Sequence, residues 1–181
     1  MDIGAVRELA IRLMDVKRTQ QVAAFLKSQS TLSLATTAGD GSPQVAPLFY
    51  LADDDLRLYW LSSASSQHSR SLKRNPAAAV CVYSPTEQWK EIRGVQMRGA
   101  VSVITARSRR SEIVQAYCSR FHLEPLFQDA IARSRLYCFQ PEWVRYLDNS
   151  KRFGYKFELT VNAPLALDRD RRLNLGEGEA S

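Results

Sequence analysis

A serine-rich turn between a predicted strand and a predicted short helix is the feature that most constrains this chain. The strand, 56–61, reads Leu-Arg-Leu-Tyr-Trp-Leu, and its aromatic and aliphatic side chains suit a pleated surface. The turn, 62–70, contains five serines, one histidine and one arginine but no glycine. The helix is predicted to end at Asn75-Pro76, and two more strands follow by residue 104. This pattern requires a fold in which a strand delivers a polar turn to a helix start.

The position of the turn predicts a seat for a phosphate group. The first amides of a helix lack intrahelical partners and carry partial positive charge, so they bind anions together with nearby hydroxyl groups. Serine-rich turns also occur as plain helix caps, and Ser65 or Ser66 would serve as an N-cap without any ligand. Both interpretations stay open on the local residues, and the first points to a phosphorylated cofactor.

Other predicted elements stand around this turn in a fixed order. A strand at 31–37 leads to a hairpin turn at Asp40-Gly41-Ser42-Pro43, and a second strand follows at 44–51. Beyond the turn come an apolar strand at 77–83 and a strand at 95–100, in which a glycine precedes a small residue. These elements supply a series of antiparallel strands on both sides of the short helix.

In this order and spacing, the chain from about 20 to 150 resembles the pyridoxamine 5'-phosphate oxidase-like family, the FMN-binding split β-barrels. The resemblance implies a mostly β fold with flanking helices (α+β), a six-stranded antiparallel split β-barrel of the Greek-key type. It also implies FMN held between the two subunits of a homodimer. An oxidoreductase that moves electrons or hydride through the flavin, on a small-molecule substrate, is the activity expected from it.

The resemblance also implies which residues hold the cofactor. Leu61 and Ser62 at the strand end and Ser66 in the turn match family positions that contact the FMN phosphate. His68 stands where a lysine is common in the oxidases, and an unperturbed pKa of about 6.5 would let it become charged beside a phosphate. Arg70 offers permanent charge instead. A solvated residue in the first helical turn is the other interpretation of His68.

Gln96 is the polar residue that stands out in the otherwise apolar strand at 95–100. Its amide would hydrogen-bond the polar edge of a flavin, because a buried glutamine needs such a partner. An outward-facing residue on a half-exposed strand explains Gln96 equally well.

The chain departs from the true oxidases near its C-terminus. They carry an Arg-x-His type of substrate motif after a tryptophan, and the segment 143–156 has no such motif. This argues against oxidation of pyridoxamine phosphate, so that the resemblance is to the broader superfamily. The segment is expected to cover a flavin ring or a pocket, or to form a barrel strand, a turn at 148–150 and a dimer-facing strand. The alternative function is a non-catalytic split-barrel module for heme, a deazaflavin or another anionic ligand, and His68 in place of lysine favours it.

Composition restricts the other function classes. The chain has no Ser-His-Asp order, no paired catalytic carboxylates and no P-loop, so any catalysis is expected to rest on a cofactor. The chain has only two histidines and three cysteines without a Cys-x-x-Cys pair, which argues against a metal site. The three cysteines are expected to be reduced thiols in the cytoplasm. The net charge of +6 is dispersed and accompanies no nucleic-acid-binding motif, which leaves nucleic-acid binding a minor alternative. No apolar run of 18 residues and no signal-peptide pattern are present, which predicts a cytoplasmic protein without a membrane segment.

The 181 residues predict one domain over 1–162, with N-terminal helices, and a mobile tail over 163–181. Helical spacing over 5–28 predicts two helices divided at Arg18-Thr19-Gln20, with Thr19 as the N-cap of the second. Ser108 is expected to cap a further helix, and Asp53, Asp54 and Asp55 to form an exposed hairpin turn. The remaining predicted elements are a helix through Phe121, a short helix at 126–132, and strands at 135–139, 143–148 and 155–161, with Pro141 between the first two strands.

Overall fold

The computed structural model describes residues 3–123 and 127–161, and for residues 3–11 it describes only the backbone. The predicted tail over 163–181 therefore lies outside the described residues. In the described part of the chain, no helix combines the length and the apolar character that crossing a membrane requires.

The described residues form four α-helices, a 3₁₀ turn at Trp89–Glu91 and eight strands. In chain order the helices and strands are α1 Ile3–Ser28, β1 Thr31–Thr37, β2 Pro43–Phe49, β3 Leu51–Ala52, β4 Leu58–Ser62, α2 Gln67–Arg74, β5 Ala77–Tyr83, β6 Arg93–Val103, α3 Arg107–Arg120, α4 Gln128–Arg133, β7 Arg135–Asp148 and β8 Lys156–Thr160.

The strands build one curled antiparallel sheet in the order β2-β1-β5-β6-β7-β4-β3, with β8 paired to β7. One edge of the long strand β7 pairs with β6, and its other edge pairs first with β4 and then with β8. The mostly β split-barrel fold is thereby confirmed, whereas the predicted count of six strands is wrong. The count rises to eight because the short β3 and the closing strand β8 also join the sheet.

Pro141 does not interrupt β7, contrary to expectation. It lies opposite Gly99, at a register shift between Arg98 and Gly99 that leaves Glu142 as the extra residue of a bulge. A bulge tolerates a proline because the ladder is locally broken there. Gly99 is needed at this point, since a Cβ would collide with the backbone of Gln140. The strands predicted at 135–139 and 143–148 are therefore one continuous strand, β7.

The N-terminal helix is likewise continuous, so the predicted division at Arg18-Thr19-Gln20 is wrong. The hydroxyl of Thr19 donates to the carbonyl of Asp15, one turn earlier, and does not cap a new helix. The end of α1 packs into the barrel core through Val22, Phe25 and Leu26.

The opposite face of the sheet is covered only in part. Helix α3 packs Ile113 and Tyr117 against Tyr59 of β4 and Leu136 of β7, which forms a second, smaller apolar cluster. Its N-cap is Ala106, without a side-chain hydrogen bond, so the predicted cap at Ser108 is wrong. Further along this outer face, Val45 of β2, Tyr83 of β5 and Gln96 of β6 remain exposed.

Candidate functional site

The end of β4 delivers Ser62 to the start of α2. Ser62 pairs with Arg135 in the β4–β7 ladder, which fixes its place in the sheet. Ser66 is the N-cap of α2, with an extended backbone, and its hydroxyl accepts a hydrogen bond from the amide of Ser69 at 3.3 Å. The capping interpretation of Ser66 is therefore confirmed, and it leaves the rest of the turn to be explained.

Three side chains of this turn converge. The Nε2 atom of His68 lies 2.8 Å from the hydroxyl of Ser62 and 3.0 Å from that of Ser66. The two hydroxyls are 3.2 Å apart. We refer to Ser62, Ser66 and His68 as the hydroxyl–imidazole cluster. The three residues are half-buried, so the cluster is a local polar centre that solvent still reaches.

The amides at the helix start, and not the charge of the imidazole, suit this turn to an incoming anion. Burial lowers the pKa of His68 below its ordinary value, so the imidazole is neutral near pH 7 in the free protein. Ser66 also accepts a hydrogen bond from the amide of Arg70 through its carbonyl. The two amides that follow Ser66, those of Gln67 and His68, have no acceptor among the described residues. They point out of the helix start.

The other predicted residues of the turn take different places. Leu61 is half-buried and packs against the smaller apolar cluster, while its backbone pairs with Leu136. The Arg70 guanidinium donates to the carbonyl of Ser65, which holds its charge beside the turn. Leu61 and Arg70 thus flank the hydroxyl–imidazole cluster without joining its hydrogen bonds.

The structure does not bring Gln96 to this cluster within one chain. Gln96 is exposed on the outer face of β6, between the buried Val95 and Met97. Leu61 lies level with Ile104, because both meet Leu136 of β7. Eight residues of extended strand separate residue 96 from residue 104, which corresponds to about 26 Å. Gln96 therefore lies towards the opposite end of β6 from the cluster.

Beside Gln96 lies a cationic and aromatic patch that the sequence did not reveal. The guanidinium carbons of Arg98 and Arg145 lie 4.6 Å and 4.9 Å from the ring centre of Trp143. Glu158 accepts hydrogen bonds from the indole of Trp143 at 3.1 Å and from Arg145 at 2.7 Å. We refer to Gln96, Arg98, Trp143 and Arg145 as the outer-face patch. The signal for it is the strand period of two, which places all four on one side of paired strands.

A second polar centre lies in the turn that leads from β3 to β4. Asp53, expected in an exposed turn, is only 7 % exposed. Its carboxylate accepts hydrogen bonds from the Tyr59 hydroxyl at 2.8 Å and from the amides of Asp55 and Arg57 at 3.0 Å and 2.9 Å. Burial raises the pKa of this carboxyl, against the hydrogen bonds that favour its charged form. Because three aspartates follow one another, the sequence did not indicate that Asp53 is the buried one.

The described residues contain no group of three or more His, Cys, Asp or Glu side chains that could hold a metal ion. Cys81, Cys118 and Cys138 are free thiols, each partly buried. Burial raises the pKa of the Cys138 thiol to about 12, so it stays protonated at neutral pH.

Comparison with known proteins identifies the family. Residues 19–148 match the family model described as pyridoxamine 5'-phosphate oxidase. The chain belongs to this family. It is also 25 % identical to a UPF0306 protein of Photorhabdus laumondii over 134 residues. This alignment covers 73 % of this chain and 88 % of that protein.

Solved structures share the fold at lower identity. A Clostridium acetobutylicum protein related to general stress protein 26, of the pyridoxinephosphate oxidase family, is 16 % identical with a TM-score of 0.59, over 81 % of this chain and 96 % of that one. A heme-binding protein from Mycobacterium smegmatis is 16 % identical with a TM-score of 0.64, over 78 % of this chain and 57 % of that one. The fold therefore occurs both in a protein named for heme binding and in one named for the pyridoxinephosphate oxidase family.

Proposed function

We propose that this member of the pyridoxamine 5'-phosphate oxidase family binds FMN at the interface of a homodimer and is an FMN-dependent oxidoreductase. The observation that carries the proposal is the convergence of Ser62, Ser66 and His68 at the start of α2, within 3.2 Å of one another. Bound flavin would supply the electron-transfer chemistry, because no side-chain constellation of the described residues provides it.

The donor set fits a phosphate group. The amides of Gln67 and His68 have no acceptor among the described residues, and the two serine hydroxyls can turn from each other towards an incoming oxygen. His68 is neutral in the free protein because burial lowers its pKa, and a phosphate dianion beside Nε2 would favour the imidazolium. No carboxylate takes part in the hydrogen bonds of the cluster to repel the anion.

A second copy of the chain supplies what one copy lacks. The flavin ring needs a platform, yet Gln96 and Trp143 lie far from the cluster of their own chain. They belong to the uncovered outer face, where Val45 is 69 % exposed and Tyr83 is 61 % exposed. Apolar surface of this kind favours burial against a partner. A homodimer formed through this face would bring the outer-face patch of one protomer towards the cluster of its partner.

The substrate is a small molecule that reaches the flavin, and pyridoxamine phosphate is not the one expected, because 143–156 lacks the oxidase motif. This segment forms the end of β7, a turn and the start of β8, and it carries Trp143 and Arg145 of the outer-face patch. The free thiols of the three cysteines suit the reducing cytoplasm as the place of action.

The test is the visible absorption spectrum of freshly purified protein, followed by titration with FMN. Flavin bands, or saturable quenching of FMN fluorescence, are expected in the unaltered protein and are expected to be lost in Ser62→Ala/Ser66→Ala. The matched control is Ser63→Ala/Ser65→Ala, since these hydroxyls bond each other at 2.8 Å on the exposed side of the turn. A colourless protein that does not bind FMN would overturn the proposal.

A non-catalytic heme-binding module is the second candidate. The fold it shares with the Mycobacterium smegmatis heme-binding protein and the position of His68 support it. Against it, the Nε2 atom of His68 already meets two hydroxyls and faces a polar turn, whereas an axial ligand needs a free nitrogen above an apolar slot. A Soret band that disappears in His68→Ala would establish this candidate and displace the first.

A further inference from the structure

A cavity of about 90 Å³ lies beside α2, at the barrel end formed by β6 and β7. Its principal lining residues are Ser69, Leu72, Lys73, Val101, Arg135 and Tyr137. The three from α2 are spaced i, i+3 and i+4 and therefore share one helix face. His68 and Ser71 lie on the neighbouring face, where the Ser71 hydroxyl donates to the Gln44 side chain at 3.2 Å. The cavity therefore lies on a different face of α2 from His68, although it adjoins the hydroxyl–imidazole cluster.

Two of the buried residues that line the cavity, Tyr137 and Ser69, carry hydroxyl groups. Tyr137 is 2 % exposed, and its buried hydroxyl has no hydrogen-bond partner among the described residues. An unpartnered hydroxyl in the interior is costly, and either water or a bound anion would supply its missing partner. Ser69 is 3 % exposed and accepts a hydrogen bond from the Ser66 hydroxyl at 2.8 Å, so its own proton remains available to donate.

The Tyr137 ring is held firmly. Trp60 is fully buried and stacks against it, with ring centres 5.7 Å apart and planes at 15°. Leu72 and Val101, which are 6 % and 8 % exposed, line the apolar walls. Donors held in apolar surroundings bind an anion without reorganising, and the lower dielectric strengthens the attraction.

The rim of the cavity is cationic. Lys73 and Arg135 are exposed, and neither forms an ion pair with any residue that the structure describes. Within 3–123 and 127–161, no carboxylate lines the cavity. Two cations and two hydroxyl donors without an opposing charge match a tetrahedral oxyanion, and they do not suit a cation.

We propose that this cavity is an oxyanion site that binds a phosphate group, either inorganic phosphate or the phosphate of a small monoester. Tyr137 and Ser69 donate from inside the cavity, while Lys73 and Arg135 neutralise the charge from the rim. The site uses a face of α2 that does not include His68. It adjoins the cofactor turn through the hydrogen bond between Ser66 and Ser69 and through the pairing of Arg135 with Ser62.

Isothermal titration calorimetry with inorganic phosphate tests the proposal, in a non-phosphate buffer at constant ionic strength. Saturable binding is expected in the unaltered protein. Affinity is expected to fall by about tenfold or more in Lys73→Gln/Arg135→Gln, because charge-assisted hydrogen bonds are lost. Tyr137→Phe retains the ring and its stacking on Trp60, and it is expected to weaken binding by a smaller factor. The matched control is Lys90→Gln/Arg107→Gln, which removes two exposed cations elsewhere and should leave affinity unchanged.

Two further arms separate this site from the cofactor turn and identify the source of the phosphate. Ser62→Ala/Ser66→Ala should retain phosphate binding whether or not the protein binds FMN. Phenyl phosphate that binds as tightly as inorganic phosphate assigns the site to monoesters, and selective binding of inorganic phosphate assigns it to the free anion. The proposal is overturned by absence of saturable phosphate binding, by unchanged affinity in Lys73→Gln/Arg135→Gln, or by loss of binding in Ser62→Ala/Ser66→Ala alone.

Discussion

The turns before and after β4 are both rich in polar residues, but their polar clusters differ in burial and in hydrogen bonding. At the beginning, Asp53 is 7 % exposed and its carboxylate receives hydrogen bonds from Tyr59 and two backbone amides. At the end, Ser62, Ser66 and His68 are half-buried and bond mainly one another, beside two amides that have no acceptor in the part of the chain that the structure describes. A polar group whose partners all come from its own hairpin stabilises the fold. A cluster with spare donors at a helix start is available to a ligand.

The largest expected effect is on the stability of the fold, from the loss of the Asp53 carboxylate. Asp53→Ala would leave the Tyr59 hydroxyl and two hairpin amides without their acceptor. We expect the free energy of unfolding to fall by about 3 kcal/mol, measured by urea denaturation. Asp55→Ala removes a neighbouring exposed carboxylate, 3.3 Å from Arg57, and should cost less than about 1 kcal/mol. Equal losses in the two variants would contradict the distinction between the two aspartates.

The next prediction concerns the charge that His68 lacks. His68→Lys places a permanent cation where burial otherwise keeps the imidazole neutral. FMN affinity is expected to rise about tenfold, or about 1.4 kcal/mol, because an ammonium group pairs with phosphate without taking up a proton. His68→Gln serves as the neutral control and should show no gain. Fluorescence titration at pH 7.5 measures both, and weaker FMN binding by the lysine variant would place the phosphate elsewhere.

A smaller effect separates capping from ligand binding within the same turn. Ser66→Ala removes the hydroxyl that accepts from the Ser69 amide, and it should lower the free energy of unfolding by about 1 kcal/mol. Ser65→Ala, on the exposed side of the turn, is the matched control, with an expected change within about 0.5 kcal/mol. Thermal denaturation monitored by circular dichroism measures both variants. A Ser66→Ala protein as stable as the control would show that the cap contributes nothing.

The smallest effect expected is on the pH dependence of stability. Because the pKa of His68 is lowered in the folded protein, its contribution is present above the unfolded value of about 6.5 and is lost as the pH falls through the folded value. Between pH 7 and pH 5, the melting temperature of the unaltered protein should therefore fall further than that of His68→Gln. An equal or steeper fall in the variant would contradict the neutral, half-buried imidazole.

Much of the fold could be predicted from the sequence, since strand periodicity and turn residues act over short distances. The strands β1 and β5 and the helix end at Asn75 were predicted correctly for that reason. Pro141 misled the prediction because a bulge opposite Gly99 absorbs it, and such a bulge depends on the neighbouring strand. Thr19 misled it because one hydroxyl serves a cap or a backbone carbonyl equally well.

The candidate site was predictable in part for the same physical reason. Ser62, Ser66 and His68 lie within seven residues, so local geometry brings them together. Tyr137 and Arg135 could not be assigned to a cavity, because only the pairing of β7 with β4 and β6 places them beside α2. The depth of Asp53 was equally hidden, since burial depends on residues far along the chain.

The most direct measurement of the central claim is the ratio of FMN affinity to riboflavin affinity, in the unaltered protein and in Ser62→Ala/Ser66→Ala. The two flavins differ only by the phosphate, so the ratio isolates recognition of that group from stacking of the ring. We predict at least about tenfold tighter binding of FMN by the unaltered protein and near-equal affinities in the variant. Equal affinities in the unaltered protein, or a preference that survives in the variant, would contradict a phosphate seat at the start of α2.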